Sequence, residues 1–359
     1  MKVKWVVPAV AGALLFVSLN PVLFAVNTRM IKEVRNKDLL SSEDLRAIDR
    51  FVADAVKELV RTKDFSSVAA VRNAISEHAS SNRPSAPQYE AQYFESANRY
   101  ISEALNKARE DKNLMVEINL LILIDRLLAT DPEDLRLVDL ALEMVQDDSG
   151  VVRYLAVSAV TNPAVLKRMN PKLAARIAST FSSVAAGSTP ETMGLMARFA
   201  GETDTAQSGD LLLRIADRRI KRYAEWAVKY EPLDDAILKS LCNKISSPGP
   251  EKSSFAQRFV QLYSYAIQRF AKDMQVGVFV SDASRELAAS VLLEVEKTCI
   301  SRLTAGPHTA IKSSIERGDR EGLLRAHDVL LRQELPRMFE GVKPPLPLPD
   351  PPKPKASEQ

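Results

Sequence analysis

The feature that most constrains the fold of this chain is the spacing of its apolar residues. Over residues 137–144, 152–160, 220–228 and 288–295, apolar side chains recur three and four positions apart. This spacing lines one face of an α-helix, and such a face buries against a neighbouring element. Only 12 of the 359 residues are glycine, which disfavours turn-dense β architectures. The sequence therefore predicts an all-α protein.

Two segments make this prediction more specific. In residues 114–128 apolar side chains occur on nearly every side of the predicted helix, so we expect that helix to be buried centrally. This helix is too short to span a bilayer, and charged residues such as Glu117 and Asp125 also make it too polar to do so. Nearer the N-terminus, the spacing of Ser41 and Asp44 resembles a capping box, which predicts that a helix begins there.

The first 25 residues have the layout of a secretory signal. Lys2 and Lys4 precede a short apolar run, and Ala25 offers a small residue for cleavage before Val26. The alternative is an uncleaved segment that anchors the chain in the inner membrane, since about 20 apolar residues suffice to span a bilayer. Both alternatives place the rest of the chain in the periplasm or another extracytoplasmic space. Membrane contact is then expected only through this segment, if it is uncleaved.

Breaks rich in serine and proline at residues 80–87 and 246–250 divide the rest of the chain. The predicted parts are a signal peptide or anchor at 1–25, an N-terminal helical pair at 28–80, a helical array at 88–246, a C-terminal helical segment at 250–340 and a tail at 341–359.

The tail is dominated by proline, with seven prolines between residues 344 and 354. Such a composition predicts an extended, solvated chain of the polyproline type. The segment would serve as a docking strand or a spacer, or would simply be a disordered terminus. The composition favours disorder over residues 341–359.

Residues 131–160 resemble a known helical repeat. A turn at 147–150 carries two aspartates, and Val152, Arg153 and the small Ala156 follow it on the next helix. This pattern resembles a HEAT repeat, the helical hairpin of α-solenoids, over residues 112–246 at most. The resemblance implies stacked hairpins with a concave surface for protein partners. An irregular helical bundle is the alternative architecture.

The motifs indicate no catalytic, cofactor-binding or metal-binding constellation. His78, His308 and His327 are scattered singly, whereas a zinc site needs several converging ligands. The sequence contains no serine-nucleophile elbow, glycine-rich phosphate loop or paired-cysteine motif.

Removal of Lys2 and Lys4 with the leader lowers the formal charge from +3 to +1. A chain so close to neutral does not suit a general nucleic-acid binder.

The two cysteines, Cys242 and Cys299, both fall on apolar stripes and should point inward. Inside the cytoplasm they would be buried apolar residues. Outside it, an even pair is compatible with a structural disulfide that links the middle of the chain to its C-terminal part. The sequence leaves both alternatives open.

A basic cluster is the remaining candidate site. It spans the five residues Arg214, Arg218, Arg219, Lys221 and Arg222. Three of them, Arg214, Arg218 and Lys221, share one helix face. The cluster predicts either an anion-binding patch or an ordinary solvated face.

These observations together predict a non-catalytic, exported protein-interaction or scaffold protein of the cell envelope, with an unidentified protein partner. The alternative is a cell-envelope hydrolase similar to the helical lytic transglycosylases, in which a catalytic glutamate precedes a serine and a later glycine-leucine-methionine-glutamine stretch. Glu95-Ser96 and residues 194–196 resemble parts of that pattern, but they lie far apart and Ala197 replaces the glutamine. A general acid would also need a raised pKa in a cleft.

Overall fold

The computed structural model describes residues 28–130, 135–249 and 251–351. Within these residues the protein is built of helices and contains no β-strand, which confirms the predicted all-α class. The helices of the first half are α1 Thr28–Arg35, α2 Ser42–Arg61, α3 Phe65–Glu77, α4 Ala86–Glu110, α5 Leu114–Leu128, α6 Arg136–Met144, α7 Gly150–Val160, α8 Pro163–Arg168 and α9 Pro171–Val184.

The second half continues in the same manner, with two π-helical turns that prolong α-helices. Its elements are α10 Pro190–Glu202, α11 Ala206–Ala224, α12 Pro232–Ser246, α13 Lys252–Val276, α14 Asp282–Val295, the π-helical Glu296–Ile300, α15 Ser301–Leu303, α16 Ala310–Glu316, α17 Arg320–His327, the π-helical Asp328–Glu334 and α18 Leu335–Met338.

The helices pack in two layers through most of the chain. In one layer α5 packs on α7, α7 on α10, and α10 on α12, while in the other α9 packs on α11 and α11 on α13. Helices adjacent in sequence, such as α12 and α13, also pack against each other across the layers. One hydrophobic core runs through these contacts and includes both Ile31 and Val342.

Two local predictions are confirmed in detail. Helix α5 has the predicted bounds, and side chains on most of its faces are buried, including Leu120, Ile124 and Leu128. Helix α2 begins after a capping box in which the Ser41 hydroxyl accepts from the Asp44 N–H and the Asp44 carboxylate accepts from the Ser41 N–H. Both features depend on side chains close in sequence, which is why the sequence reveals them.

Other expectations are corrected. Residues 28–80 hold three helices rather than a pair, and they are not separate, because α2 packs on α4 and α3 on α5. The helix predicted through Val228 ends at Ala224. It ends there because Trp226 has a left-handed backbone, with φ of 54°, which cannot continue an α-helix.

The largest correction concerns the tail. Residues 341–351 are not disordered but lie along α13, held by hydrogen bonds from that helix. The predicted signal peptide at 1–25, its junction at Ala25 and Val26, and the tail residues 352–359 lie outside the described residues. Among the helices that are described, none is long and apolar enough to cross a membrane.

Candidate functional site

The candidate site is a row of side chains on α13 that holds the tail. Gln257 binds Lys343 with both ends of its amide: its Nε2 donates to the Lys343 carbonyl at 3.2 Å and its Oε1 accepts from the Lys343 N–H at 2.8 Å. Gln261 holds Leu346 in the same two-sided manner, at 3.2 and 2.9 Å. Each glutamine thus contacts the backbone of the tail and not a particular side chain. We call this row and the tail on it the glutamine ladder.

The prolines of the tail explain why a few glutamine side chains are enough to satisfy its backbone. Prolines at 344, 345, 347 and 349 have no N–H, so between residues 343 and 349 only Lys343, Leu346 and Leu348 carry one. The first two donate to Gln257 and Gln261, and the third donates to Oε1 of Gln268 at 2.8 Å. Every backbone donor in this stretch is therefore satisfied by a side chain of α13, which removes the main cost of placing a chain against a protein surface.

The ladder also requires an extended tail. Lys343 is held at position 257, and the carboxylate of Asp350 lies 3.5 Å from the ammonium of Lys272. Those fifteen helical positions correspond to about 22 Å. Seven tail residues cover this length, so the tail rises by roughly 3 Å per residue, the value of a polyproline helix. Val342 and Pro345 are buried against the body, while Leu346 is largely exposed.

A strained loop supplies a further contact to the tail. The indole Nε1 of Trp226 donates to the Pro349 carbonyl at 2.9 Å. Trp226 and Tyr230 both have left-handed backbones, at φ of 54° and 63°, and such conformations cost on the order of 1–2 kcal/mol in a residue other than glycine. Two of the four non-glycine residues with a left-handed backbone in the described part of the chain therefore lie in the loop that presents the indole to the tail.

Arg219 stabilises this loop from beneath. Its guanidinium donates to the carbonyls of Lys229 and Tyr230 at 2.8 and 3.2 Å, and pairs with both oxygens of Asp234 at 2.6 and 2.8 Å. The Tyr223 hydroxyl donates to the same carboxylate. Arg219 and Asp234 are both buried, so the loop conformation depends on an ion pair that solvent does not screen.

A serine network beneath the ladder escaped the sequence analysis. The Ser264 hydroxyl lies 2.8 Å from Nε2 of His327, and Nδ1 of His327 lies 2.9 Å from Oδ1 of Asp328. The Nε2 of Gln268, whose Oε1 holds Leu348, donates to the same hydroxyl. The network therefore links the tail, α13 and the end of α17. The 63 positions between Ser264 and His327 left no local signal by which the sequence could have revealed it.

These distances match those of a serine-histidine-aspartate triad, but the surroundings do not suit acyl transfer. Ser264 has no exposed surface and lies inside α13, where the backbone N–H groups around it are used by the helix and cannot form an oxyanion hole. Burial lowers the pKa of His327 and favours its neutral ring, although Asp328 opposes this effect. In this conformation the network joins three elements and offers no path for a substrate.

The two cysteines meet in the core. Cys242 of α12 and Cys299 of the π-helical turn are buried free thiols that interact with each other. This thiol contact lowers the pKa of Cys242 to about 7 although burial opposes it, and the hydrogen bond from Arg302 Nη2 at 2.8 Å lowers it further. The same thiol contact, together with burial, raises the pKa of Cys299. The two cysteines are thus neighbours in space, a point that the sequence left open, and their disulfide stays a prediction.

The predicted basic cluster separates into residues with different surroundings. Arg219 is buried in the ion pair with Asp234 and is not on an exposed face. Arg214 and Lys221 are exposed, whereas Arg218 is half-buried. Arg218 and Arg222 line one cavity of about 350 Å³, in which they are joined by Lys229, a residue that the sequence analysis did not include.

The residues compared with lytic transglycosylases are placed separately. Glu95 is exposed on α4, while Gly194 and Met196 are buried on α10.

In the part of the chain that the structure describes, no group of three histidine, cysteine or acidic residues is arranged to hold a metal ion.

Comparisons with known proteins were negative at every level: no family model, curated protein or solved structure matches this chain.

Proposed function

We propose that this protein is a non-catalytic interaction protein of the cell envelope, and that the glutamine ladder binds extended proline-rich segments. The observation that carries the proposal is the two-sided contact of Gln257 and Gln261 with the tail backbone. A surface that satisfies backbone groups and needs no particular side chain accepts any segment with prolines at the matching positions. In the described conformation the chain's own tail occupies it.

Several features support peptide recognition. A proline-rich segment is already extended before it binds, so it loses little conformational entropy. Proline recognition by other proteins combines an aromatic donor with a groove for the polyproline helix. Trp226 supplies such a donor, and the face of α13 supplies the groove. We infer that a partner's proline-rich segment replaces the tail, which then acts as an internal competitor.

The remaining parts of the proposal are export and architecture. The composition of residues 1–25 supports secretion or anchoring, so that the body lies in the periplasm or another extracytoplasmic space. The two-layer packing of successive helices supports a HEAT-like solenoid over residues 112–246, in which each hairpin covers the next.

Photocrosslinking in the native host tests peptide binding and export together. A photoreactive residue replaces Gln261 within the ladder, and a matched variant carries it at Gln275, an exposed residue of the same helix whose side chain makes no hydrogen bond to the residues that the structure describes. We expect adducts with a proline-rich segment of an envelope protein from position 261 alone, on a chain whose N-terminus is Val26 or which remains in the membrane. Adducts confined to the chain's own tail, or recovery of the protein from the cytoplasm, would contradict the proposal.

A further inference from the structure

A second candidate site is lined in part by the strained loop. Its cavity, of about 350 Å³, lies between the start of α10, the middle of α11 and the loop before α12. Four cationic residues contribute to its lining, namely Arg218, Arg219, Arg222 and Lys229, and no carboxylate does. Such a concentration of one charge in a concave surface attracts a counter-ion.

The charges of this cavity are only partly balanced by protein groups. Arg219 is fully paired with Asp234. Arg222 lies 3.7 Å from Glu225, but both side chains are about half exposed, so that pair is weak. Among the described residues, no carboxylate lies within ion-pair distance of Arg218 or Lys229.

Neighbouring acids are engaged elsewhere. Asp217, adjacent to Arg218 in sequence, pairs with Arg258 of α13 at 3.0 Å. Glu231, at the end of the loop, pairs with Arg269 at 3.2 Å. Asp217 and Glu231 therefore do not cancel the positive charge of the cavity.

The cavity also has the physical character of an anion site. Met193, Ile215 and Leu233 form apolar parts of its wall and are themselves buried. Apolar surroundings strengthen the attraction between a half-buried guanidinium and a bound anion. Arginine presents a planar fork of donors that matches phosphate oxygens, and lysine adds a compact charge.

We propose that this cavity binds a phosphate group, held by Arg218, Arg222 and Lys229. The group is carried either by a free phosphate or by a lipid headgroup, since both present the same oxygens. The site is independent of the glutamine ladder, and its test does not depend on peptide binding. Arg219 takes no direct part in binding the phosphate group. Its role is to keep the loop that carries Lys229 in place.

The test uses the full chain at low ionic strength and two probes. Inorganic phosphate is titrated by calorimetry, and vesicles of phosphatidylglycerol are compared with vesicles of phosphatidylcholine by co-sedimentation. The variants are Arg218→Gln and Lys229→Gln, and the matched control is Arg214→Gln, an exposed arginine one turn earlier on α11 that is not in the lining. Because Lys229 is exposed in a loop, Lys229→Gln keeps the test valid even if Arg218→Gln lowers stability.

Each outcome of the phosphate titration and of the vesicle experiment either supports or overturns the proposal. Phosphate binding that Arg218→Gln and Lys229→Gln each weaken by about tenfold, with Arg214→Gln unchanged, supports a site for free phosphate. The same pattern on phosphatidylglycerol vesicles alone supports a headgroup site. Absence of binding to both probes overturns the proposal. So does a loss in Arg214→Gln equal to that in Arg218→Gln, because general surface charge then explains the binding.

Discussion

The side-chain amide of Gln261 holds the backbone of Leu346 at both of its polar groups, donating to its carbonyl at 3.2 Å and accepting from its N–H at 2.9 Å. The two residues are 85 positions apart in the chain. Leu346 itself is largely exposed, so its side chain does not explain the contact. The relationship is one of backbone recognition, and it makes the tail a ligand of its own protein.

Removal of one rung should loosen the tail without unfolding the body. Gln261→Leu places a shorter, apolar side chain in the ladder and removes two hydrogen bonds, each of which contributes about 1 kcal/mol. We expect faster amide hydrogen exchange at Leu346 and Leu348, with unchanged exchange in α5. The control is Gln275→Leu, which alters the same helix at an exposed position where the side chain has no hydrogen-bond partner within the described part of the chain. Equal exchange in the two variants would show that the ladder does not hold the tail.

If the chain is exported as proposed, Cys242 and Cys299 should form a disulfide outside the cytoplasm. Each thiol gives up a proton and an electron to a disulfide donor such as oxidised glutathione, and one sulfur-sulfur bond forms. The lowered pKa of Cys242 supplies the attacking thiolate. We expect both thiols of the exported protein to resist alkylation until it is reduced, and the bond to add about 3 kcal/mol to the free energy of unfolding. Full alkylation of the exported, unreduced protein after denaturation would contradict this.

Acidification should destabilise the fold through its buried histidines. Burial lowers the pKa of His327 and of His78 in the folded chain. Between their folded and unfolded pKa values the unfolded chain binds more protons, so stability is present above the ordinary histidine pKa and is lost as the pH falls through it. We expect the melting temperature to fall from pH 7 to pH 5, and less steeply in His327→Gln. An identical pH dependence in the variant would remove His327 from this explanation.

The buried pair beneath the loop should matter far more than its neighbour in sequence. Asp234→Asn leaves the charge of Arg219 buried without a partner, which costs on the order of 3 kcal/mol. Asp235→Asn removes a partly exposed pair with Lys239, which is worth at most about 1 kcal/mol. Urea denaturation of both variants measures the difference. We also expect Asp234→Asn to shift the Trp226 emission, because the loop that carries the indole loses its support.

A fluorophosphonate should not label Ser264 in the folded protein. The hydroxyl has no exposed surface and no oxyanion hole beside it. Labelling that Ser264→Ala abolishes would instead indicate a serine hydrolase, with the tail as a cover. Mass spectrometry of the intact protein measures the adduct, and heat-denatured protein provides the background.

The sequence predicts features that depend on near neighbours and misses those that depend on distant ones. The bounds of α5 and the cap at Ser41 follow from local patterns and are correct. Proline content alone suggests disorder for residues 341–351, because the glutamines that bind them lie on another helix. Arg219 resembles its exposed neighbours in sequence, and only the turn that brings Asp234 beneath it explains its burial.

Binding of the tail in trans tests whether α13 recognises extended proline-rich segments. A chain from Val26 to Glu340 retains Trp226 as its only tryptophan, and a peptide of residues 341–351 supplies the missing segment. We predict a saturable change in Trp226 fluorescence, with an affinity weakened roughly thirtyfold by Gln261→Leu and unaffected by Gln275→Leu. No fluorescence change, or equal affinity in Gln261→Leu and the parent chain, would contradict a groove on α13 for extended proline-rich segments.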